Sequence, residues 1–162
     1  AGNDYAVLMG GCWNTRLTVP RRKIAQPQLF PAPGTTIPYG HHFPGERPLH
    51  PAYAKTKSMG IPVICRVLSQ PPEASDMACR LYGVTGDLRT GKRGAEVPAF
   101  CNGPGKDAPK EYPDNLGQVM LAPLAPLKPG AYEADFAFKS GGQDHRFLWR
   151  FEVAAPPRRA GK

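Results

Sequence analysis

The chain has 162 residues and a formal net charge of +8, and residues that interrupt helices are unusually frequent in it. Its 20 prolines and 18 glycines leave few windows in which a helix can persist, because proline lacks a backbone donor and glycine favours turns. No apolar run approaches the ~20 residues of a membrane-spanning helix. We therefore expect a soluble chain of low helix content, with one main domain and an extension.

Residues 1–59 are predicted to form a proline-rich extended arm. They hold eight of the prolines, each of which fixes its own φ and favours an extended predecessor. Short strand pieces are expected within the arm, one of them in the apolar run 5–9. The arm carries a net charge of +5 against +3 for residues 60–162. This bias favours anionic partners.

From Gly60 onward the sequence changes to short runs of strand-forming residues. Strands are predicted over 61–68, 78–84, 96–101 and 118–121, with Val63, Val67, Cys79 and Leu81 directed inward. About seven short strands at a spacing of about ten residues are typical of an immunoglobulin-like β-sandwich. The predicted domain boundaries are 1–59 for the arm, 60–154 for the sandwich and 155–162 for a basic tail.

Two alternating runs near the end of the chain predict a closing hairpin. In each run apolar residues share one parity and charged residues such as Glu133 and Arg150 take the other, which gives one apolar and one polar face. The Gly-rich segment 139–144 between the runs supplies the turn. The residues predicted to face inward are Tyr132, Ala134, Phe136, Phe138, Phe147, Trp149, Phe151 and Val153.

Three segments together resemble a known module. They are Gly-Ile-Pro-Val at 60–63, Pro-Leu-Lys-Pro-Gly-Ala-Tyr ending at Tyr132, and Trp-Arg-Phe at 149–151. They are similar to an immunoglobulin-like module of bacterial secreted proteins that often stands beside a cysteine-rich secretory (CAP) domain, and the similarity covers residues 60–153. The resemblance implies a sandwich fold and a location outside the cytoplasm. It carries over no catalytic residue, because no CAP domain occurs in these 162 residues.

The segment Leu-Lys-Pro-Gly-Ala-Tyr at 127–132 also looks like the corner of fibronectin type III and copper-resistance sandwiches. In such corners a tyrosine near the start of a strand holds the preceding turn. The resemblance therefore implies that Tyr132 ties down the turn before it.

The four cysteines, Cys12, Cys65, Cys79 and Cys101, are too widely spaced for a zinc motif. An even number in a turn-rich all-β chain favours two disulfides and an oxidising compartment, which is the periplasm or the cell surface. Three connectivities are compatible with four cysteines. The alternative is that they are buried free thiols in a cytosolic protein.

Three histidines, His41, His42 and His50, lie within ten residues of one another in the proline-rich part of the chain. Imidazoles at this density predict a copper or zinc site, to which a methionine would add a soft ligand. Adjacent residues of an extended segment point to opposite sides, so His41 and His42 reach one ion only across a bend. The alternative is a set of solvated imidazoles in a loop.

The leading functional hypothesis is a non-enzymatic accessory or structural subunit of an extracytoplasmic assembly, with no cofactor. No nucleophile, base and orienting group stand in a catalytic pattern, and no nucleic-acid fingerprint is present. Its partners would be other protein subunits, including further copies of the chain, or anionic surfaces. A periplasmic copper- or zinc-binding sandwich is the second hypothesis and an envelope polysaccharide-binding module is the third. The residues predicted to contact a partner are Tyr5, Val7, Met9, Arg21, Arg22 and Lys23.

Overall fold

The computed structural model describes residues 27–39, 59–66, 74–103 and 118–156. Within these ranges the chain forms ten β-strands and no helix, as its composition predicts. Accordingly, this part of the chain contains no helix of the length and hydropathy that crossing a membrane requires. The strands are β1 (Gln28–Phe30), β2 (Thr36–Ile37), β3 (Val63–Arg66), β4 (Ala74–Ser75), β5 (Arg80–Thr85), β6 (Lys92–Val97), β7 (Ala99–Asn102), β8 (Gln118–Pro123), β9 (Gly130–Ser140) and β10 (Gln143–Val153).

The strands form two sheets that enclose a common core. The smaller sheet has the order β1-β3-β8-β7, and the larger has the order β2-β10-β9-β5-β6 with β4 paired to the end of β9. All pairs are antiparallel except β2 with β10. The buried cluster combines Val63 and Leu121 of the smaller sheet with Phe136 and Phe151 of the larger one. The predicted all-β sandwich is therefore confirmed.

The closing hairpin follows the alternation in the sequence. Strands β9 and β10 are joined by Gly141 and Gly142, whose φ values of 57° and 75° lie in the left-handed region that glycine adopts without strain. Phe147 is only partly buried, while the rest of the predicted inward set lies in the core. The buried members are Tyr132, Ala134, Phe136, Phe138, Trp149, Phe151 and Val153.

Tyr132 holds the turn before β9, as the resemblance to sandwich corners implied. Its hydroxyl donates a 2.7 Å hydrogen bond to the carbonyl of Lys128. Its ring stacks on Phe151, with 5.7 Å between the ring centroids. The corner is therefore anchored to the core at one end and to the turn backbone at the other.

Residues 27–39, which belong to the predicted arm, contribute one strand to each sheet. β1 pairs with β3 in the smaller sheet, and β2 pairs with β10 in the larger one. Between them Pro31 is fully buried, and its carbonyl accepts a 2.8 Å hydrogen bond from the indole Nε1 of Trp149. This part of the arm therefore packs on the sandwich of its own chain.

The prediction of a single strand over residues 96–101 is wrong. The chain forms β6 and β7 there, which belong to different sheets and are separated by Pro98. Proline cannot donate to a strand ladder, so it marks the point where the chain leaves one sheet for the other. Val67, a predicted core residue, lies outside the described residues.

We expect Trp149→Phe to lower the free energy of unfolding by roughly 1–3 kcal/mol, because the buried carbonyl of Pro31 loses its donor. The measurement is equilibrium unfolding in guanidinium chloride. Leu148→Ala is the matched control, since the neighbouring side chain lies on the other face and is 55% exposed. Its expected effect is within ~0.5 kcal/mol. Equal losses in the two variants would contradict the assigned role of the indole bond.

Candidate functional site

The predicted partner-binding and metal-binding residues lie outside the described part of the chain. The assignments to Tyr5, Val7, Met9, Arg21, Arg22, Lys23, His41, His42 and His50 therefore stay predictions, as does any role for Cys12. The predicted site residues that the structure does describe are three cysteines, and it brings two of them into contact.

Cys79 and Cys101 meet between the two sheets, and Cys65 lies apart from them in the core. Cys65 lies in β3 and Cys101 in β7, both in the smaller sheet, and Cys79 directly precedes β5 of the larger sheet. Across the interface the Cys79 thiol donates a hydrogen bond to the sulfur of Cys101. Cys65 is fully buried, whereas Cys79 and Cys101 are partly exposed. The sandwich thus places a contacting thiol pair at its rim and a third thiol in its core.

A thioether, Met77, lies on one of the two segments that carry the thiol pair. Met77 precedes Cys79 by two residues and Gly103 follows Cys101 by two, so both positions continue the same two segments. A Cβ added at Gly103 would lie 2.5 Å from Sδ of Met77. The glycine thus leaves the space that the thioether occupies, and any larger residue at 103 would displace the Met77 side chain. We call Cys65, Met77, Cys79 and Cys101 the sulfur cluster.

The three thiols of the sulfur cluster differ in acidity. Burial raises the pKa of Cys65 to about 12. The hydrogen bond to Cys101 and then burial raise the pKa of Cys79 strongly, because that thiol keeps its proton as the donor. Conversely, the hydrogen bond from the Cys79 thiol, supported by the Cys79 backbone N–H, lowers the pKa of Cys101. Cys101 is therefore the sulfur of the pair that ionises more readily.

The described residues do not support the predicted two disulfides. Cys65, Cys79 and Cys101 all carry free thiols in the structure. The sequence left the pairing open because the contact depends on how the two sheets are stacked, which strand parity does not encode. Strand parity predicted that Cys79 faces inward, and it packs against the core as expected.

Within the described ranges no three or more His, Cys, Asp or Glu side chains are grouped to hold a metal ion.

The outer face of the larger sheet carries an ion-pair network around Glu133. This carboxylate is only 4% exposed, because Arg93 and Arg150 cover it with bonds of 2.6 and 2.7 Å. Arg150 also donates to the Gly91 carbonyl at 2.9 Å, which connects the network to the loop between β5 and β6. Arg93 reaches Asp135 at 3.1 Å as well. Both carboxylates are held by arginines in a structural role.

A groove of about 520 Å³ lies between the β5–β6 hairpin and the segment 124–131. Apolar residues of both segments line it, among them Val84, Val97, Leu124 and Leu127. Beside it β6 pairs only with β5 among the described strands, and residues 92–96 of β6 are exposed. An apolar groove next to an unpaired strand edge is a surface to which an extended segment can add.

No protein-family model matches the chain, and no curated protein matches it. Solved structures with a similar arrangement include PcoC, a methionine-rich copper resistance protein from Escherichia coli. The match has 15% identity and a TM-score of 0.46 and covers 77% of this chain and 92% of that one. The selenomethionine form of PcoC matches with 14% identity and a TM-score of 0.46 over 77% and 94% of the two chains. The two sheets and the partly exposed thiol pair of the described residues define an all-β sandwich with two thiols at its rim.

We expect Glu133→Gln to lower the free energy of unfolding above pH 4.5. In the variant, this free energy should also fall less steeply as the pH is lowered. Burial alone would raise the pKa of Glu133, but hydrogen bonds from Arg150 and Arg93 outweigh it and hold the pKa below 4.5. A lowered pKa contributes stability that is present above the unfolded value and is lost as the pH falls through the folded value. The expected loss at pH 7 is ~1–3 kcal/mol.

The measurement is urea unfolding of both proteins between pH 2 and 7. Asp87, whose pKa is lowered to about 2 by hydrogen bonds from Thr90 and Arg89, titrates in both proteins. The difference between the two curves therefore isolates Glu133. Parallel curves across the whole pH range would contradict the assignment.

Proposed function

We propose that the protein is a non-enzymatic, extracytoplasmic β-sandwich that binds Cu(I) through Cys79 and Cys101, with Met77 as an additional donor. The observation that carries this proposal is the contact between the Cys79 and Cys101 thiols at the rim of the sandwich. Both side chains are only partly buried, so an ion reaches them without opening the core.

The donor chemistry favours Cu(I) over zinc. Thiolate and thioether ligands are soft and select Cu(I). A structural zinc site takes four nitrogen or sulfur ligands, and no group of three His, Cys, Asp or Glu side chains is placed for a metal in the described ranges. Because Cys101 has the lowered pKa, it would bind first as a thiolate. Binding of the ion would then displace the proton of the Cys79 thiol, which is released to water.

The remaining parts of the proposal come from the sequence. A location outside the cytoplasm is supported by the resemblance to the module of bacterial secreted proteins. His41, His42 and His50 stay candidates for a separate copper or zinc site, and polysaccharide binding stays a prediction.

We expect the reduced protein to bind a single Cu(I) ion per chain in an anaerobic titration against a chromophoric chelator. Cys79→Ser and Cys101→Ser are each expected to weaken binding by more than the ~10–100-fold typical for loss of a group that merely supports a ligand. Cys65→Ala is the matched control, because this thiol is fully buried and is not a proposed ligand. Circular dichroism checks that every variant is folded.

Replacement of His41, His42 and His50 by alanine tests the alternative metal site. Binding should be unchanged if the thiol pair holds the ion. Binding that survives both cysteine substitutions but is lost in the triple histidine variant would overturn the proposal in favour of the histidine site.

A second candidate function is the accessory or structural subunit, and the exposed edge of β6 beside the apolar groove favours it. An extended segment from another copy of the chain would add to this edge through backbone hydrogen bonds. Tyr5, Val7 and Met9 share one parity of an apolar run, so in a strand they would all face the groove. Arg21, Arg22 and Lys23 would contact anionic groups of the partner.

We expect the full chain to self-associate in sedimentation velocity runs at increasing concentration. Replacing Tyr5, Val7 and Met9 with serine should give a folded monomer, because the apolar side chains that enter the groove are lost. The matched control replaces Ala6 and Leu8, which have the opposite parity, and should still associate. A full chain that stays monomeric, or an equal loss in both sets, would rule out this mode of assembly.

A further inference from the structure

The sulfur cluster contains one pair of thiols in contact and one thiol set apart. Cys79 and Cys101 come from different sheets, and each is partly exposed. Their sulfur atoms are already within hydrogen-bond reach, so little movement is needed to join them. Cys65, by contrast, is 0% exposed and belongs to the buried cluster of core residues.

We propose that Cys79 and Cys101 are a redox-active pair that forms one reversible disulfide between the two sheets when a disulfide oxidant is present, while Cys65 stays reduced. This differs from the two permanent disulfides that the sequence indicated. The inference concerns the same thiol pair as the proposed Cu(I) site, but it does not depend on metal binding.

The reaction is a thiol–disulfide exchange in two steps. One thiol of the pair loses its proton to water, and its thiolate attacks one sulfur of the oxidant, which forms a mixed disulfide and releases a thiolate. The other thiol then transfers its proton to the released thiolate and attacks the first cysteine's sulfur, expelling the second half of the oxidant, which takes up a proton from water. Two electrons and two protons leave the protein, and the oxidant is reduced to two thiols.

The surroundings separate the pair from the third thiol. Cys79 and Cys101 are both partly exposed, so an oxidant reaches either of them, and each sulfur is next to the bond that it must attack once its partner has formed the mixed disulfide. Cys65 is fully buried, so an oxidant does not reach it in the folded protein.

The bond would change the sandwich at a defined place. It would close a loop that contains the β5–β6 hairpin and Pro98, where the chain passes from the larger to the smaller sheet. Closing a loop restricts the unfolded chain, so the oxidised protein should unfold at a higher denaturant concentration than the reduced protein. Oxidation would also remove both thiolate ligands of the proposed Cu(I) site.

The test equilibrates the full chain, without metal, in buffers of oxidised and reduced glutathione. Free thiols are trapped by acid and alkylation, and the bridged peptides are identified by mass spectrometry. We expect one bridge, Cys79–Cys101, which reopens in reducing buffer and raises the unfolding midpoint. Cys65 should be alkylated only after unfolding.

Two variants test the pairing. Cys79→Ser and Cys101→Ser should each carry no bridge and should accumulate glutathione on the remaining thiol of the pair, because the resolving thiol is missing. Cys65→Ala, the matched control, should oxidise like the parent protein.

A bridge from Cys79 or Cys101 to Cys65 or Cys12, glutathione on Cys65 of the folded protein, or thiols that stay reduced in oxidised glutathione would each overturn the inference. The Cu(I) titration of the reduced protein is a separate readout. A pair that forms the bridge but binds no Cu(I) removes only the ion-binding proposal. A pair that binds Cu(I) but never forms the bridge removes only this inference.

Discussion

The register of the β9–β10 hairpin is the constraint on which the rest of the sandwich depends. The two strands pair continuously from Ser140 with Gln143 to Gly130 with Val153. A slip of one residue would turn the aromatic side chains outward and the charged ones inward. The glycine pair at the turn and the continuous apolar face both prevent such a slip. β5 then pairs with β9 and β2 with β10, so the hairpin positions the rest of the larger sheet.

The two faces of this hairpin are stabilised in different ways. On the inner face Phe136 packs on Trp149, with 5.0 Å between the ring centroids, and burial of such large apolar surfaces is the main favourable contribution to folding. On the outer face Glu133 is nearly as buried as the aromatic residues, but it remains charged because Arg93 and Arg150 satisfy it. The outer face is therefore held by ion pairs, and the carboxylates of Glu133 and Asp135 serve as partners of arginines.

The chemically distinctive feature lies where the two sheets meet at the rim. β5 pairs with β9 through Arg80 and Asp135, which leaves Cys79 at the end of the strand and next to Cys101 of the opposite sheet. The same two thiols are the ligands of the proposed Cu(I) site and the partners of the inferred disulfide. The two states exclude each other, since a disulfide has no thiolate to offer. The redox state of the surroundings would therefore determine whether the rim can hold an ion.

Much of the fold could be predicted from the sequence, because the side-chain period of a strand is visible in it. The alternation through 132–138 and 147–153 predicts the hairpin, its inward residues and the sandwich class, and the Leu-Lys-Pro-Gly-Ala-Tyr segment indicates the corner held by Tyr132. The tertiary structure alone decided that residues 27–39 join both sheets, that Pro98 separates β6 from β7, and that Glu133 is buried on a polar face. It alone brought Cys79 to Cys101 and Met77 to Gly103. These contacts join residues that are distant in the sequence, and they depend on how the whole core packs. The local pattern shows only which face of a strand each residue occupies, so it does not predict them.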